Sequence, residues 1–400
     1  MKVDPMKEFE DPDDAINALS QCLETVGTEK GSPAAGRVLA QAVLADRDCP
    51  AIDVSAMDGY AVRMADLSAG EIRVSGEVQP GEPPVQLPEG TALRVFTGAA
   101  IPLGTEAVVM REDVDEASRE FVRPLDRAQR LSSGANIRRQ GENGKSADQI
   151  LESGTLLNAA SIAAAANFGA AQVSMHRPVR VTIIVTGNEL LDASDRPEPW
   201  QLRDSNGPTL AAVCATRRWI ECREPTRCID NADTLASQLA DALASSDAVI
   251  LTGGVSKGDY DHVPGVISRL GAKTIFHRLP IRPGRPILGA ASPRGQLILG
   301  LPGNPVSAAV GMVKFGLPLL AKQSGQTQWL PVPREVTVTG SSTKTLPLHW
   351  YRLVRLTGPA SAQWIVSQGS GDLVSLAHSS GFVHLPPMAT GPGPFQYFGW

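Results

Sequence analysis

Hydrophobic spacing divides the chain into stretches of different texture. Ile16, Leu19, Leu23 and Val26 recur at helical spacing, behind Asp11 in the N-cap position, Pro12 in the first turn and Asp13 and Asp14 at the positive end of the dipole. From Cys49 to about Asp126 the chain turns often, with short alternating runs such as Ile72-Arg73-Val74 and Ala107-Val108-Val109-Met110. That is the pattern of a small β-rich domain. An alanine-rich helix is predicted over Asn158 to Phe168, capped by Asn158 and terminated by Gly169.

From Pro178 strands and helices alternate. Val179 to Val185 is a β-branched run ending in Thr186-Gly187, Asp247 to Leu251 ends in Thr252-Gly253-Gly254, and Leu297 to Leu301 precedes a helix from Pro305. Another strand is predicted over Thr274 to His277. Helices are predicted with Asn206 as cap and Pro208 in the first turn, from Asp233 with Leu235, Leu239 and Leu243 on one stripe, and over roughly His262 to Leu270. Such alternation predicts βαβ units and a doubly wound parallel sheet with helices on both faces. After about Gln328 helical periodicity stops; Glu335–Val338, Tyr351–Leu356 and Phe382–Leu385 predict a small all-β tail.

Composition narrows the function. A length of 400 residues suggests two to four domains. The 38 glycines and 31 prolines exceed the usual share of about 12% and disfavour an all-helical bundle. With 37 Lys+Arg against 42 Asp+Glu, the net charge of −5 argues against nucleic acid or an anionic membrane surface as partner. The five cysteines include no C-x-x-C pair and the histidines no H-x-x-x-H pair, so zinc, a disulfide framework and a serine triad all lack support. Met1 to Asp14 has no apolar h-region, and no apolar run reaches the roughly 18 residues of a membrane span. A soluble, cytoplasmic protein with reduced thiols is expected.

In an open α/β sheet, ligands bind outside the carboxyl ends of the strands. Three strands end there in loops that can carry chemistry: Thr186-Gly187-Asn188-Glu189-Leu190, Thr252 through Asp261, and Pro302-Gly303-Asn304-Pro305-Val306-Ser307. Gly253, Gly254 and Gly258 let backbone N–H groups approach an anion, with Ser256 and Lys257 beside them. A βα turn needing glycine for geometry alone fits that loop equally well. The N-terminus of the helix from Pro305 could hold a phosphate, though such turns are usually structural. Glu189, Asp230, Asp259 and Asp261 are strand-end carboxylates that could together hold Mg2+, with solvated surface acids as the plainer reading of each. Arg278, Arg282 and Arg285 lie among prolines in one stiff stretch, and guanidinium forks suit phosphate and other oxyanions. In the N-terminal half, Ser55-Ala56-Met57-Asp58-Gly59-Tyr60-Ala61 presents a carboxylate on a tight turn, and Thr97-Gly98-Ala99-Ala100-Ile101-Pro102 a hydroxyl.

These segments, with Asn136 to Glu142, Asp204-Ser205-Asn206, Arg282 to Pro286 and Leu301 to Ser307, resemble the molybdopterin molybdenumtransferase family (the MoeA proteins and the gephyrin E domain) in the same order over essentially the whole chain. The resemblance implies insertion of molybdate into adenylylated molybdopterin with Mg2+ present, and release of AMP. It implies an elongated homodimer whose cleft takes Asp58 and Thr97 from one subunit. Glu189, Asp230, Asp261, Ser256, Arg278 and Arg282 would come from the other, Glu189, Asp230 and Asp261 reaching the metal. Thr186, Gly253, Gly254, Ser256, Arg285, Pro302, Asn304, Arg352 and Ser370 would contact substrate. The molybdopterin adenylyltransferase and recipient molybdoenzymes are further implied partners. Pattern and resemblance together divide the chain into an elongated helical and linker domain (1–48 with 147–178), a β-rich domain (49–146), a central α/β molybdopterin-binding domain (179–327) and a C-terminal β-barrel-like domain (328–400).

The sequence departs from the family at a few positions. Asn143 and Asn188 stand where Asp is common, and Arg278, Arg282 and Arg285 where lysines are typical. Two alternatives stay open: a paralogue that binds or carries the cofactor without turnover, and the adenylyltransferase, which Gly253-Gly254-Val255-Ser256 and the long N-terminal half disfavour.

Overall fold

The computed structural model describes residues 8–116, 118, 120–256, 261–340 and 344–400. They fall into two compact units, Ala42–Glu152 with Ala160–Ala171, and Met1–Gln41 with Ser153–Ala159 and Gln172–Trp400.

The first of these units is built on a six-stranded sheet in the order Ala107–Met110, Gly59–Val62, Thr91–Val95, Ile72–Val78, Phe121–Pro124, Val114–Asp115. Alternation along Gly59–Val62 feeds two cores: Tyr60 and Val62 pack with Ile72, Val109 and Val122, and Ala61 with Leu93, Val95 and Val108. Gly59 leaves no room for a side chain, since a Cβ there would sit 2.0 Å from the Val109 carbonyl oxygen.

In the other unit the first helix spans Pro12–Ser20, and the Asp11 side chain accepts from the Asp13 N–H. It stops before Leu23 and Val26. The N–H groups of Glu24 and Val26 donate instead to the carbonyls of Gly295 and Gln323, so tertiary bonds override the helical spacing. Thr28–Gly31 and Val38–Leu39 then flank Val173–His176 in a small antiparallel sheet.

The central sheet runs Ile220–Cys222, Val179–Thr186, Ala248–Thr252, Leu297–Leu301, Leu288–Ala291, Lys273–His277, with Thr226–Cys228 also pairing Val179–Thr186. It is parallel as far as Leu297–Leu301 and antiparallel over the last two steps. Two reversals restore direction, so Lys273–His277 delivers Arg278 to the same edge as Thr186, Thr252 and Leu301. Val181, Ile183 and Val185 face Leu210, Val213 and Val310, while Ile184, Val249 and Leu251 face Leu239, Val263 and Ile267. Helices therefore cover both faces, and truncating a fully buried residue such as Ile183 to Ala costs about 2–5 kcal/mol.

One expected cap and one expected helix start are corrected. Ser205, not Asn206, holds the cap position of the helix Asn206–Ala215, because the Asn206 amide is used elsewhere. The helix expected from Asp233 starts one residue earlier, as Ala232–Ser245, and Asn231 caps it by accepting from the N–H groups of Asp233 and Thr234.

In the tail, His349–Gly358, Ser361–Trp364, Arg334–Thr339, Phe395–Gly399 and Gly381–Leu385 pair in that order, and the last also pairs with the first. Closure makes a small barrel around Val336, Val354, Ala362, Val383 and Phe395 and leaves no open edge among these strands. Ile281–Arg282 adds to its outside, parallel to His349–Trp350. Among the described residues no helix is long and apolar enough to cross a membrane, and all five cysteines are free thiols.

Candidate active site

Strand register assembles the edge. Thr252 lies opposite Leu301, and Val185 opposite Thr252, so the three following loops leave side by side. The Gly253 N–H donates to the Leu301 carbonyl at 3.1 Å. The Asn206 amide donates to Thr252 Oγ1 at 2.9 Å and to the Gly303 carbonyl at 2.8 Å, joining two loops. Gly253 has φ +91°, and a Cβ there would lie 2.6 Å from both oxygens of Thr186. Glycine is therefore required for contact between loops as well as for the turn. Thr186 itself is buried, and its hydroxyl donates to the Thr252 carbonyl, so it ties loops together from beneath. Gly254 follows it at φ +63°, and Ser256 is exposed; Lys257, Gly258, Asp259 and Tyr260 lie outside the described residues.

The carboxylates are held differently from a metal cage. Asn188 and Asp230 bond reciprocally: the Asn188 N–H donates to Asp230 Oδ2 at 3.1 Å, and the Asp230 N–H to Asn188 Oδ1 at 3.0 Å. Glu189 is exposed and Asp261 half-buried. Among the described residues no three His, Cys, Asp or Glu side chains come together to hold a metal ion, so Glu189, Asp230 and Asp261 do not form a preassembled site. Asp230 is turned instead toward the backbone of the neighbouring loop.

The arginines separate into two places. Arg278 is exposed at φ +71°, a left-handed conformation that costs a non-glycine residue about 1–2 kcal/mol, and its N–H donates to the Ile287 carbonyl. Arg282, Arg285 and Arg352 line a cavity of about 690 Å3 with Pro302, Asn304, Trp350, Ser367 and Ser370. Among the described residues no carboxylate lines it. At the N-terminus of the helix from Pro305, whose turn reads as structural in the sequence, the Val306 N–H donates to the Ser370 carbonyl at 3.0 Å. Asn304 lines the cavity and makes no side-chain cap.

In the other unit, Asp58 Oδ1 accepts from both the N–H and the hydroxyl of Thr97, at 2.8 and 2.9 Å. These bonds, led by the backbone one, hold the Asp58 carboxyl below its ordinary pKa and keep it ionised on an exposed turn. The segment Asn136 to Asn143 is organised by ion pairs: Arg139 with Asp53 at 2.6 Å and Arg138 with Glu142 at 2.5 Å. Asn143 Oδ1 accepts from Arg138 at 2.9 Å.

Sequence reasoning missed Trp350, Ser367 and the pairing of His349 with His384. Trp350 could have been found from its i, i+2 relation to Arg352 in a strand. The histidines meet from strands far apart in sequence, which no local motif reveals.

Comparison with known proteins agrees with this architecture. Residues 11–169 match the MoeA N-terminal region (domain I and II), and residues 182–322 match a probable molybdopterin binding domain. The chain is 31% identical over 374 residues to a molybdopterin molybdenumtransferase of Staphylococcus aureus (strain Mu50 / ATCC 700699), covering 90% of this chain and 87% of that one. It is 34% identical over 369 residues to one of Nostoc sp. (strain PCC 7120 / SAG 25.82 / UTEX 2576), covering 88% and 83%. A solved molybdopterin biosynthesis moeA protein from Pyrococcus horikoshii OT3 superposes with a TM-score of 0.80 at 25% identity, over 97% of this chain and 99% of that one.

Proposed function

The chain belongs to the molybdopterin molybdenumtransferase family, and we propose that it inserts molybdate into the dithiolene of adenylylated molybdopterin, with Mg2+ present, and releases AMP. One observation carries the reading: a cavity at the strand-end edge whose lining, among the described residues, has three guanidinium groups and no carboxylate. Such a cavity suits a tetrahedral oxyanion. The reaction then rests on positioning and on electrostatic stabilisation of the departing phosphate, and it asks no side chain to act as nucleophile. Arg278, Arg282 and Arg285 are assigned to the anionic groups, and Arg352, Ser370 and Asn304 to the oxyanion.

Magnesium fits this chain as a companion of the substrate. Mg2+ usually keeps several waters and binds through one or two carboxylates plus substrate phosphates, so it needs no dedicated protein cage. Glu189, Asp230 and Asp261 are the carboxylates proposed to reach it, and the metal would neutralise phosphate charge. Asp58 and Thr97 are proposed to serve the cleft of a homodimer from the partner subunit. Mixing Asp58→Ala and Glu189→Ala homodimers with verified subunit exchange should then restore activity, and no recovery would remove the dimer from the reading.

The direct test is AMP release from adenylylated molybdopterin with Mg2+, with and without molybdate. Molybdate-dependent release supports the transferase. Tight pterin binding with no AMP release under any condition would identify a carrier of the cofactor instead.

A further inference from the structure

Register brings three cations and two indoles together at one end of the C-terminal barrel, on the strand face that Val354 turns to its core. Arg282 lies opposite Trp350 in the parallel pair of Ile281–Arg282 with His349–Trp350. Along His349–Gly358, alternation puts Trp350, Arg352 and Val354 on one face. Val354 lies opposite Trp364, so Trp364 is the diagonal neighbour of Arg352. The Arg352 guanidinium carbon is 4.5 Å from the centroid of the Trp350 ring and 3.9 Å from that of Trp364. Arg282 and Lys344 each also lie 5.9 Å from the Trp350 ring. Trp364 is held from behind: its Nε1–H donates to the Gly340 carbonyl at 3.1 Å, and its ring packs at 6.2 Å on Phe395.

We propose that Trp350 and Trp364 are positioning residues that clamp the Arg352 guanidinium between two indoles and fix the direction of its N–H fork in the oxyanion cavity. The proposal rests on the oxyanion reading of that cavity. An indole face offsets positive charge through its quadrupole and engages the flat face of the guanidinium instead of its edge. A long, rotatable side chain is thereby ordered before the anion arrives, which lowers the ordering cost of binding. Burial pushes the Arg352 pKa down, yet its high starting value keeps it charged.

Calorimetric titration of the full chain with sodium molybdate tests the clamp. Trp364→Leu should weaken molybdate binding about tenfold, while Trp364→Phe, which keeps an aromatic face, should stay within about threefold. In AMP release the loss should appear as a raised KM for molybdate with a much smaller change in kcat, a split that general loosening would not produce. Trp350→Leu, at a part-exposed position on the cavity wall, should repeat the loss and decides the matter if Trp364→Leu does not fold. Arg352→Ala separates this proposal from the reading beneath it. If Arg352→Ala binds molybdate as the parent does, the oxyanion assignment fails and the clamp with it. If Arg352→Ala weakens binding while the folded tryptophan variants bind normally, the clamp alone is overturned.

Discussion

Acid should weaken the C-terminal barrel through one histidine pair. His349 and His384, on neighbouring strands, meet Nδ1 to Nε2 at 2.8 Å with ring centroids 5.0 Å apart. With both rings neutral, one N–H fills that contact. A further proton must go to an outward nitrogen and create a cation in a part-buried site. The surroundings oppose this: burial first, then the Lys314 ammonium, then His349 push the His384 pKa from 6.5 down to about 4, while Asp13 and Asp11 pull it up. Lys314 is itself buried and paired with Asp13 at 2.5 Å, and the Tyr351 ring lies 5.1 Å from His384. The unfolded chain takes up this proton near pH 6.5 and the folded chain only near pH 4. Stability is therefore full above pH 6.5 and falls as the pH drops through that interval. The gap, at about 1.36 kcal/mol per pH unit, comes to about 3 kcal/mol, a large part of the roughly 5–15 kcal/mol that holds a domain folded. Urea unfolding between pH 7.5 and 4.5 should show this decline in the parent and little of it in His384→Asn. Asp247, whose pKa is held at about 2, titrates below this window and cannot produce the decline. An equal decline in His384→Asn would refute the assignment.

Three further substitutions separate the parts of the molecule. Gly253→Ala drives a methyl group into Thr186 and distorts two site loops at once; AMP release should fall at least about a hundredfold, and thermal melting should register a loss of about 1–3 kcal/mol. Asp247→Ala strands Arg177, bonded to it through two contacts at 2.6 and 2.7 Å, at the sheet edge opposite the site; denaturant unfolding should show a loss of about 2 kcal/mol while KM and kcat keep their values. Asn188→Asp retains the acceptor for the Asp230 N–H but adds a second carboxylate beside Asp230, so half-saturation by Mg2+ should move to lower concentration with little change in melting temperature. An unchanged Mg2+ requirement would argue that these carboxylates do not reach the metal.

The sequence made the strand-end loops legible because local chemistry and local structure coincide there. Apolar runs ending in Thr-Gly or Pro-Gly announce both the strand and the turn, and parallel pairing then places the loops side by side. What stayed hidden depended on partners distant in sequence. Asn206 has the composition of a cap, yet its amide does more by joining Thr252 to Gly303. The spacing of Leu23 and Val26 is helical, but Gly295 and Gln323 supply the carbonyls that end the helix. Glu189, Asp230 and Asp261 share an edge, as strand order suggests, but sharing an edge does not make a cage.

The arginines and the indoles can be understood as one arrangement. A lysine at position 352 would bring a charge to the cavity but no plane to stack, and its ammonium would be placed by torsions alone. The two indoles add flat faces against which the guanidinium plane of an arginine can rest. Barrel closure supplies the remaining condition, because the register that sets Val354 opposite Trp364 also sets Trp350 opposite Arg282 through the same strand. A one-residue slip of that strand would turn Trp350, Arg352 and Val354 to the other face together and remove the guanidinium from the cavity. The closed barrel is thus the element that fixes where the cavity's charge points. Variants that loosen the barrel should lose molybdate affinity before they lose the α/β fold, as circular dichroism and molybdate titration on the same samples can show.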